Sequence, residues 1–585
     1  MQPYDDMIAY FSMEIAINDS MPTYSGGLGV LAGDTLKSFA DLGMDVVGVT
    51  LLSEKGYFYQ EIDDSGWQHE KENNWPINDF MKKLDIEVEV QIENRTVYIT
   101  AWEYFLTGIN KKRNKILFLD TNIQKNSEED RKLTSFLYGG DLDYRLKQEI
   151  VLGVGGVRML RKLGHKPKKF HMNEGHAAFL TLELYKELTE IINIDERIER
   201  VREKCSFTTH TPVPAGHDAF RKDAVKHKIG DLFTPEIANM VCQDNKFSMT
   251  VLAMTFAAYI NAVSKKHQEV SKTMFPNVNI DYITNGVHSV TWTNKYLAQL
   301  LDKHVPDWRR NPFDLRNVLK IPPEEIMQVH NLAKKDLMDY INTYANAGFD
   351  KDIFTIGFAR RSTGYKRADL LFRDLERLKK INSQVGKLQI IYAGKAHPRD
   401  EEGKEIIKHI YDILRDLKSE ISIVFLENYA MSLAKLLTSG CDLWLNTPIR
   451  PLEASGTSGM KAAHNGVPSL SILDGWWIEG CIENFTGWSI GPENVSEKDR
   501  QRIDEIDSNS LYEKLEKIIV PMYYTNNNGY AKIMRNALAI NGSYFNTNRM
   551  AKQYLVRAYA RKQHGALSEI VSFFNNVKWD KAPDE

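Results

Sequence analysis

Cysteine is scarce in this chain of 585 residues: Cys205, Cys242, Cys441 and Cys481 stand far apart and form no CxxC pair. That spacing excludes a zinc ribbon or a dithiol motif, and Cys205 and Cys441, beside apolar runs, read as reduced core thiols. No stretch approaches about 18 uninterrupted apolar residues, so no transmembrane helix is expected. The opening MQPYDDMIAYFSME has neither a basic n-region nor an apolar h-region. A signal peptide is therefore not expected, and the cytoplasm follows by elimination. Formal net charge is only -3, with no dense Lys/Arg run; neither nucleic acid nor an anionic membrane is an expected partner. Solenoid repeats and low-complexity linkers are absent as well.

What is present is a soluble-globular composition, 43% hydrophobic and 26% charged, long enough for two large domains. Short apolar runs alternate with helical patterns, the signature of βαβ units and parallel sheet. Residues 8–11 and 46–51 read as strands around a glycine loop at 25–29 and a helix near 30–42. A hairpin-rich stretch fills 56–119, helices resume over 134–162, and FHMNE and CSFTTH read as strand ends. A helix opening at Pro322-Pro323 starts a second series of strands: DIFTIGFA, KLQIIYAG, ISIVFLE, CDLWLN and VPSLSIL. The fold class is α/β, two doubly wound Rossmann-like domains facing a cleft. The expected boundaries are 1–289 with a β-rich insertion, 290–530, and C-terminal helices over 531–585 packing back on the first domain. Ligands of such sheets gather at the carboxyl ends of the strands.

Three segments carry chemistry. In YSGGLGVLAGD, glycines before a helix let bare N–H groups approach an anion, which the helix dipole favours by roughly 0.3–1 kcal/mol. The spacing is neither the dinucleotide fingerprint nor a Walker loop. In RRSTGYKR, Arg360, Arg361, Lys366 and Arg367 concentrate positive charge at a strand end, a mixture of forks and point charges suited to a small oxyanion. In EASGTSGMKAAHNG, small residues allow close backbone approach, Ser455 or Thr457 is expected to cap a helix carrying Lys461, and Asn465-Gly466 to end it. A lysine so placed can lose solvent and become an amine nucleophile toward an aldehyde. Any one of these, taken alone, also reads as an ordinary connector, solvated loop or exposed lysine. The pair His171 and His176 is spaced five apart, off one helix face, so no metal is expected.

Together the segments become recognisable. YFSMEIAINDSMPTYSGGLGVLAGDTLKS, FHMNEGHAA, TTHTPVPAGHDAF, ITNGVH, RRSTGYKR, VFLENYAMSLAK and EASGTSGMKAAHNG resemble, in order, the motifs of the glycogen/starch/maltodextrin (α-glucan) phosphorylase family, in its short microbial branch. The resemblance implies a GT-B type glycosyltransferase that cleaves non-reducing ends of α-1,4-glucan with orthophosphate, retaining configuration, to give α-D-glucose 1-phosphate. Pyridoxal 5'-phosphate is the implied cofactor, held by Lys461 and working through its phosphate as a proton relay. Two phosphates about 4 Å apart repel by roughly 4 kcal/mol per pair of unit charges, which favours a shared proton. By the same resemblance His210, Arg361, Lys366 and Lys461 are catalytic; Gly27, Thr457, Tyr429 and Arg360 join Lys461 around the cofactor; Asn285, Glu453, Tyr365 and Gly456 meet the sugar.

Departures are visible too. The chain lacks the long N-terminal extension of hormonally regulated relatives, and Thr363-Gly364 stands where longer relatives carry His-Glu. Assembly into a homo-oligomer, glucan chain length and effectors stay open. Two rivals remain: a nucleotide-sugar glycogen or starch synthase-type glucosyltransferase, and a glucan-binding homologue without activity. A lysine in EASGTSGMK separates the first, since a nucleotide sugar needs no aldehyde-binding amine.

Overall fold

The computed structural model describes residues 6–495 and 499–560. Two compact units emerge: unit 1 from Met1–Phe58, Glu72–Thr284 and Met550–Glu585, unit 2 from Tyr59–Lys71 and Asn285–Arg549. The fold is mixed α/β, with a large sheet in each unit. Of the C-terminal helices expected over 531–585, the part beyond 560 lies outside the described residues; 531–549 belong to unit 2, and 550–560 to unit 1.

Unit 1 is built on strands Ile8–Ser12 (β1), Val46–Leu51 (β2), Lys82–Lys83 (β3), Val88–Ile92 (β4), Arg95–Thr107 (β5), Arg113–Asp120 (β6), Lys169–Asn173 (β7), Cys205–Thr208 (β8), Tyr259–Ala262 (β9) and Asp281–Tyr282 (β10). Their order is β10-β9-β8-β7-β1-β2-β6-β5-β3, with β4 beside β5. From β10 to β6 every pairing is parallel; the β5 edge is antiparallel. Strand β1 is buried on both faces, as a central parallel strand must be. Ala9 and Phe11 enter one apolar cluster with Val49 and Phe170, while Ile8 and Tyr10 enter another with Leu36, Phe39, Tyr554 and Tyr559. The helix Gly27–Asp41 lies close to the chain before it: a Cβ on Gly33 would sit 1.7 Å from the Ala16 carbonyl oxygen, so only glycine fits. The stretch expected to be helical from 134 begins its helix at Leu142, where the Asp141 carboxylate accepts the Tyr144 N–H. Gly140, at φ +68°, turns the chain just before it.

The main sheet of unit 2 has six strands, Phe354–Ala359 (β11), Leu388–Ala393 (β12), Ser422–Leu426 (β13), Leu443–Asn446 (β14), Ser469–Ile472 (β15) and Gly487–Ile490 (β16). They pair in the order β13-β12-β11-β14-β15-β16, all parallel. Phe354, Ile356 and Phe358 pack into one cluster, Ile391, Trp444 and Leu337 into the other. Numbered within the unit, the order is 3-2-1-4-5-6, and it reverses direction between β11 and β14. At such a reversal the loops leaving the two strands part in opposite directions and open a crevice.

Candidate functional site

Both loops at that crevice carry the chemistry. After β11 come Arg360, Arg361 and a short turn Gly364–Lys366; after β14 come residues 447–457 and the helix Ser458–Ala463 with Lys461. Backbone joins the loops: Ile449 N–H donates to the Tyr365 carbonyl at 2.8 Å, and Thr447 Oγ1 to the Lys366 carbonyl at 3.0 Å. At the centre, Glu453 accepts from Arg360 Nη2 and from Lys366 Nζ, each at 2.5 Å. Burial works against the Glu453 charge, but Arg360 and Lys366 together hold its carboxyl at about 2. Burial, then repulsion from Arg360, brings the Lys366 amine down to about 7 despite Glu453. Charge-assisted bonds of this kind are short and strong. Arg361 is exposed, yet its charge also weighs on Lys366. Arg360 Nε and Nη1 and Ser455 Oγ are buried with no protein partner. Those donors face an environment that lacks an acceptor.

Two expectations need correction here. Arg367 does not join the cluster: it is in the left-handed region at φ +43°, and its guanidinium is held by Asp507 at 2.7 Å, Asp504 at 2.8 Å and the Thr447 carbonyl at 2.9 Å. Nor does Thr457 or Ser455 cap the Lys461 helix. Thr457 occupies the cap position at φ -90°, ψ -10°, helical rather than extended backbone, so its hydroxyl does not reach the first turn. The turn is held instead by the chain that follows β15. Asp474 Oδ2 accepts the Glu453 N–H at 2.8 Å, Trp476 N–H donates to the Ser455 carbonyl at 2.9 Å, and Gly459 lies so close to the Trp476 ring that a Cβ would approach to 2.7 Å.

Lys461 is 6% exposed, with Nζ 4.1 Å from the centroid of the Trp292 ring. Gly466, at φ +74°, ends its helix. Gly456, at φ +80°, faces the Glu453 side chain. Tyr365 is half-buried beneath the Lys366 amine, 4.3 Å from ring centroid to Nζ. Tyr429 packs against the Leu337–Trp444 cluster. Asn285 belongs to unit 2; it is buried, its carbonyl accepts Arg549 Nη2 at 3.0 Å, and its Oδ1 has no partner.

Unit 1 brings its own residues to the carboxyl ends of β1, β7 and β8. Glu14, just past β1, accepts the N–H groups of Ser25 and Gly26 at 2.6 and 3.2 Å and the Tyr138 hydroxyl at 2.9 Å. The glycine loop is thus shaped by a carboxylate, and Gly27 is exposed at the helix start, with nothing within 4 Å of a would-be Cβ there or at Gly26. Glu174, after β7 and strained at φ +74°, accepts from His210 N at 2.7 Å, Thr211 Oγ1 at 3.0 Å and Gly175 N at 2.9 Å. His210, after β8, meets Asn173 Oδ1 through Nε2 at 2.7 Å, and Asn173 Nδ2 donates to Ser12 Oγ at 3.1 Å. The amide orientation therefore sets the His210 tautomer, hydrogen on Nε2 and acceptor on Nδ1. Burial lowers its pKa to about 4, so the ring is neutral near pH 7. Beside this network a cavity of about 580 Å³ opens among Leu146, Phe220, Met240 and Val251, with His217 and Asp218 in its wall. Among the described residues, no group of three or more His, Cys, Asp or Glu is placed to hold a metal ion, and no helix is long and apolar enough to cross a membrane.

Glu14, Glu174, Asn173 and Asp474 escape the sequence reading. HMNE places two of them side by side at a strand end, and that adjacency is the signal available for them.

Clustered cations and a buried lysine thus stand on the two loops that leave a strand-order reversal, an arrangement of the kind that takes anions. Comparison with known proteins gives the chain a family: the carbohydrate phosphorylase family model matches residues 217–564. The chain is 38% identical to the maltodextrin phosphorylase of Thermococcus litoralis, aligning 100% of itself with 75% of that protein. It is 37% identical to the glycogen phosphorylase of Aquifex aeolicus, over 95% of the chain and 87% of the relative. For the glycogen phosphorylase of Mycobacterium tuberculosis the identity is 35%, over 94% and 70%. The chain belongs to the carbohydrate phosphorylase family.

Proposed function

We propose that this protein is an α-1,4-glucan phosphorylase, transferring the terminal glucosyl unit of a glucan to orthophosphate and releasing α-D-glucose 1-phosphate. The observation that carries the reading is the Arg360–Glu453–Lys366 grouping beside the Lys461 helix, in a chain of this family. The 3-2-1-4-5-6 order of unit 2 supports a Rossmann-like cofactor domain of GT-B type, and the parallel core of unit 1 a glucan-binding partner domain. As domains along the sequence we propose 1–289, 290–530 and the C-terminal 531–585, a division that differs from the compact units in that 59–71 and 285–549 fall together in unit 2.

The residues fit pyridoxal phosphate. Lys461 is buried against an indole, and Arg360 has two buried donors without an acceptor, the complement a phosphate requires. Lys461 would hold the cofactor, with Arg360, Thr457 and Tyr429 around it. When bound, it supplies a phosphate able to share a proton with a neighbouring phosphate. Arg361 and Lys366 then hold orthophosphate, Lys366 in its charged form. Glu453 and Asn285, whose Oδ1 has no partner, offer acceptors to sugar hydroxyls, and Tyr365 lines the same side. His210 stays neutral, its Nδ1 directed as an acceptor by the Asn173 bond.

Two measurements test this. Lys461→Ala is expected to abolish glucose 1-phosphate formation from maltodextrin and to release no pyridoxal phosphate on denaturation, where wild type releases one per chain. Retained activity overturns the reading. Arg361→Ala is expected to raise the KM for orthophosphate by about ten- to a hundredfold, the value of one charged hydrogen bond, with glucan binding unchanged. A wild-type response to phosphate would remove Arg361 from the site.

A further inference from the structure

The turn after β15 is built around a carboxyl group that reaches none of the proposed ligands. Asp474 is 2% exposed. Its Oδ2 accepts the Glu453 N–H and its Oδ1 the Gly475 N–H, both at 2.8 Å. Gly475, at φ +54°, brings the turn so near the opposite loop that a Cβ would lie 2.4 Å from the Ser455 carbonyl oxygen and 3.0 Å from that of Glu453. Trp476 N–H then bonds the Ser455 carbonyl. Residues 474–476 therefore grip residues 453–455 along the backbone, and Asp474 is the one side chain in that grip.

We propose that Asp474 is a positioning residue that acts through Glu453. By fixing the Glu453 backbone N–H, it sets the direction in which the Glu453 carboxylate meets Arg360 and Lys366. Beyond Glu453 the loop is weakly tied by its own side chains, since Gly456 is left-handed and the Thr457 cap is not made, so the N–H bond to Asp474 is the side-chain hold on the Glu453 backbone. Without the anchor the carboxylate can swing from between the two cations, and these then lose the spacing that suits an incoming oxyanion. The groups around Asp474 match such a role. Burial pushes its carboxyl up to about 7 and the Glu453 charge pushes the same way, while the two N–H bonds and Arg450 oppose them. Tyr365, on the other loop, lies within range of the Asp474 charge.

This inference rests on the phosphorolysis reading for its assay. Lys366 titrates in the same range as Asp474, so a pH profile does not separate them; a double-mutant cycle does. Asp474→Asn keeps the shape but sets an amide against one of two N–H donors. It is expected to raise the orthophosphate KM about tenfold with kcat changed less than threefold. In a Glu453→Ala background, or Glu453→Gln where alanine does not fold, the same change is expected to alter KM less than twofold. Equal effects in the two backgrounds, or a wild-type KM for Asp474→Asn, overturn the proposal. Should Asp474→Asn fail to fold, Asp474→Ser, which retains one acceptor, is read in the same cycle; failure of both assigns Asp474 to stability alone and also overturns it. If wild type releases no glucose 1-phosphate, phosphorolysis is refuted. The cycle is then read on orthophosphate binding by calorimetry, where the same coupling supports the role of Asp474 and additivity removes it.

Discussion

The two ligand-facing strand ends solve opposite problems. In unit 1, carboxylates are saturated by donors from their own chain: Glu14 takes two backbone N–H groups and a phenol, Glu174 two N–H groups and a hydroxyl. His210 is neutral and held in one tautomer. In the unit 2 cluster, cations outnumber the carboxylate between them, since Arg360 and Lys366 share Glu453, Arg361 stands nearby, and two Arg360 donors have no acceptor. One end has its carboxylates satisfied within its own chain. The other is short of negative charge, and burial magnifies that shortage. A saturated network is rigid and insensitive to pH near neutrality; an unbalanced one is neither.

The largest way to break this contrast is to remove the carboxylate that Arg360 and Lys366 share. Glu453→Gln leaves Arg360 and Lys366 facing each other in a buried place. A loss of about 3 kcal/mol is expected, the size found when one partner of a buried pair is deleted. Orthophosphate is expected to restore thermal stability to this variant more than it raises that of wild type, because it supplies the missing charge. Equal phosphate shifts in the two proteins would deny the cluster its role as an anion site. The matching change in unit 1, Glu174→Gln, sets an amide against three donors and should cost about 2 kcal/mol in chemical unfolding. No anion should recover it; recovery by phosphate would make the two ends alike.

How much of this was legible in the sequence follows from the range of each interaction. RRSTGYKR betrays itself because four basic residues fall within eight positions at the end of an apolar strand. The strands of unit 2 are readable because each is a short apolar run, although Gly487–Ile490, like Tyr259–Ala262 in unit 1, is not, being brief and mixed. Arg367 looks equal to its neighbours in sequence, and only the arrival of Asp504 and Asp507, far along the chain, diverts it. Glu14, Glu174 and Asp474 are three acidic residues among 78. Their partners are fixed by strand register and by the turns after the strands, which no local pattern encodes. The cap at Thr457 fails for a similar reason. Residue type favours it, but the backbone there is set by the Asp474–Trp476 turn.

A subtler probe uses pH. The Lys366 amine, lowered to about 7, is protonated below that value and neutral above it, whereas the unfolded chain keeps the lysine charged to about 10. Between those limits the unfolded state binds more protons, so this group makes stability rise with pH from about 7 to 10. Phosphate binding moves the other way, weakening as pH rises through 7 because the cation is lost. Lys366→Arg, charged throughout, is expected to flatten the phosphate profile across pH 6 to 8. His210 titrates near 4, so a His210 variant should leave the shape of that profile unchanged. A profile that bends with His210 instead of Lys366 would move the charge-sensitive end from unit 2 to unit 1.

The smallest effect falls on Thr457, where sequence and structure part most plainly. An N-cap threonine that bonds the first turn is worth about 1 kcal/mol, and its removal is a standard way to weaken a helix. Here the hydroxyl makes no such bond, and the Lys461 helix is pinned by Trp476 against Gly459 and by Asn465 Nδ2, which donates to the Lys461 carbonyl at 3.0 Å. Thr457→Val keeps the shape and deletes only the hydroxyl. It should change stability by less than about 0.5 kcal/mol in urea unfolding. If the hydroxyl serves a bound phosphate, the same variant should weaken retention of pyridoxal phosphate on dialysis. A stability loss near 1 kcal/mol with cofactor retention unchanged would reinstate the cap and take Thr457 out of the phosphate site.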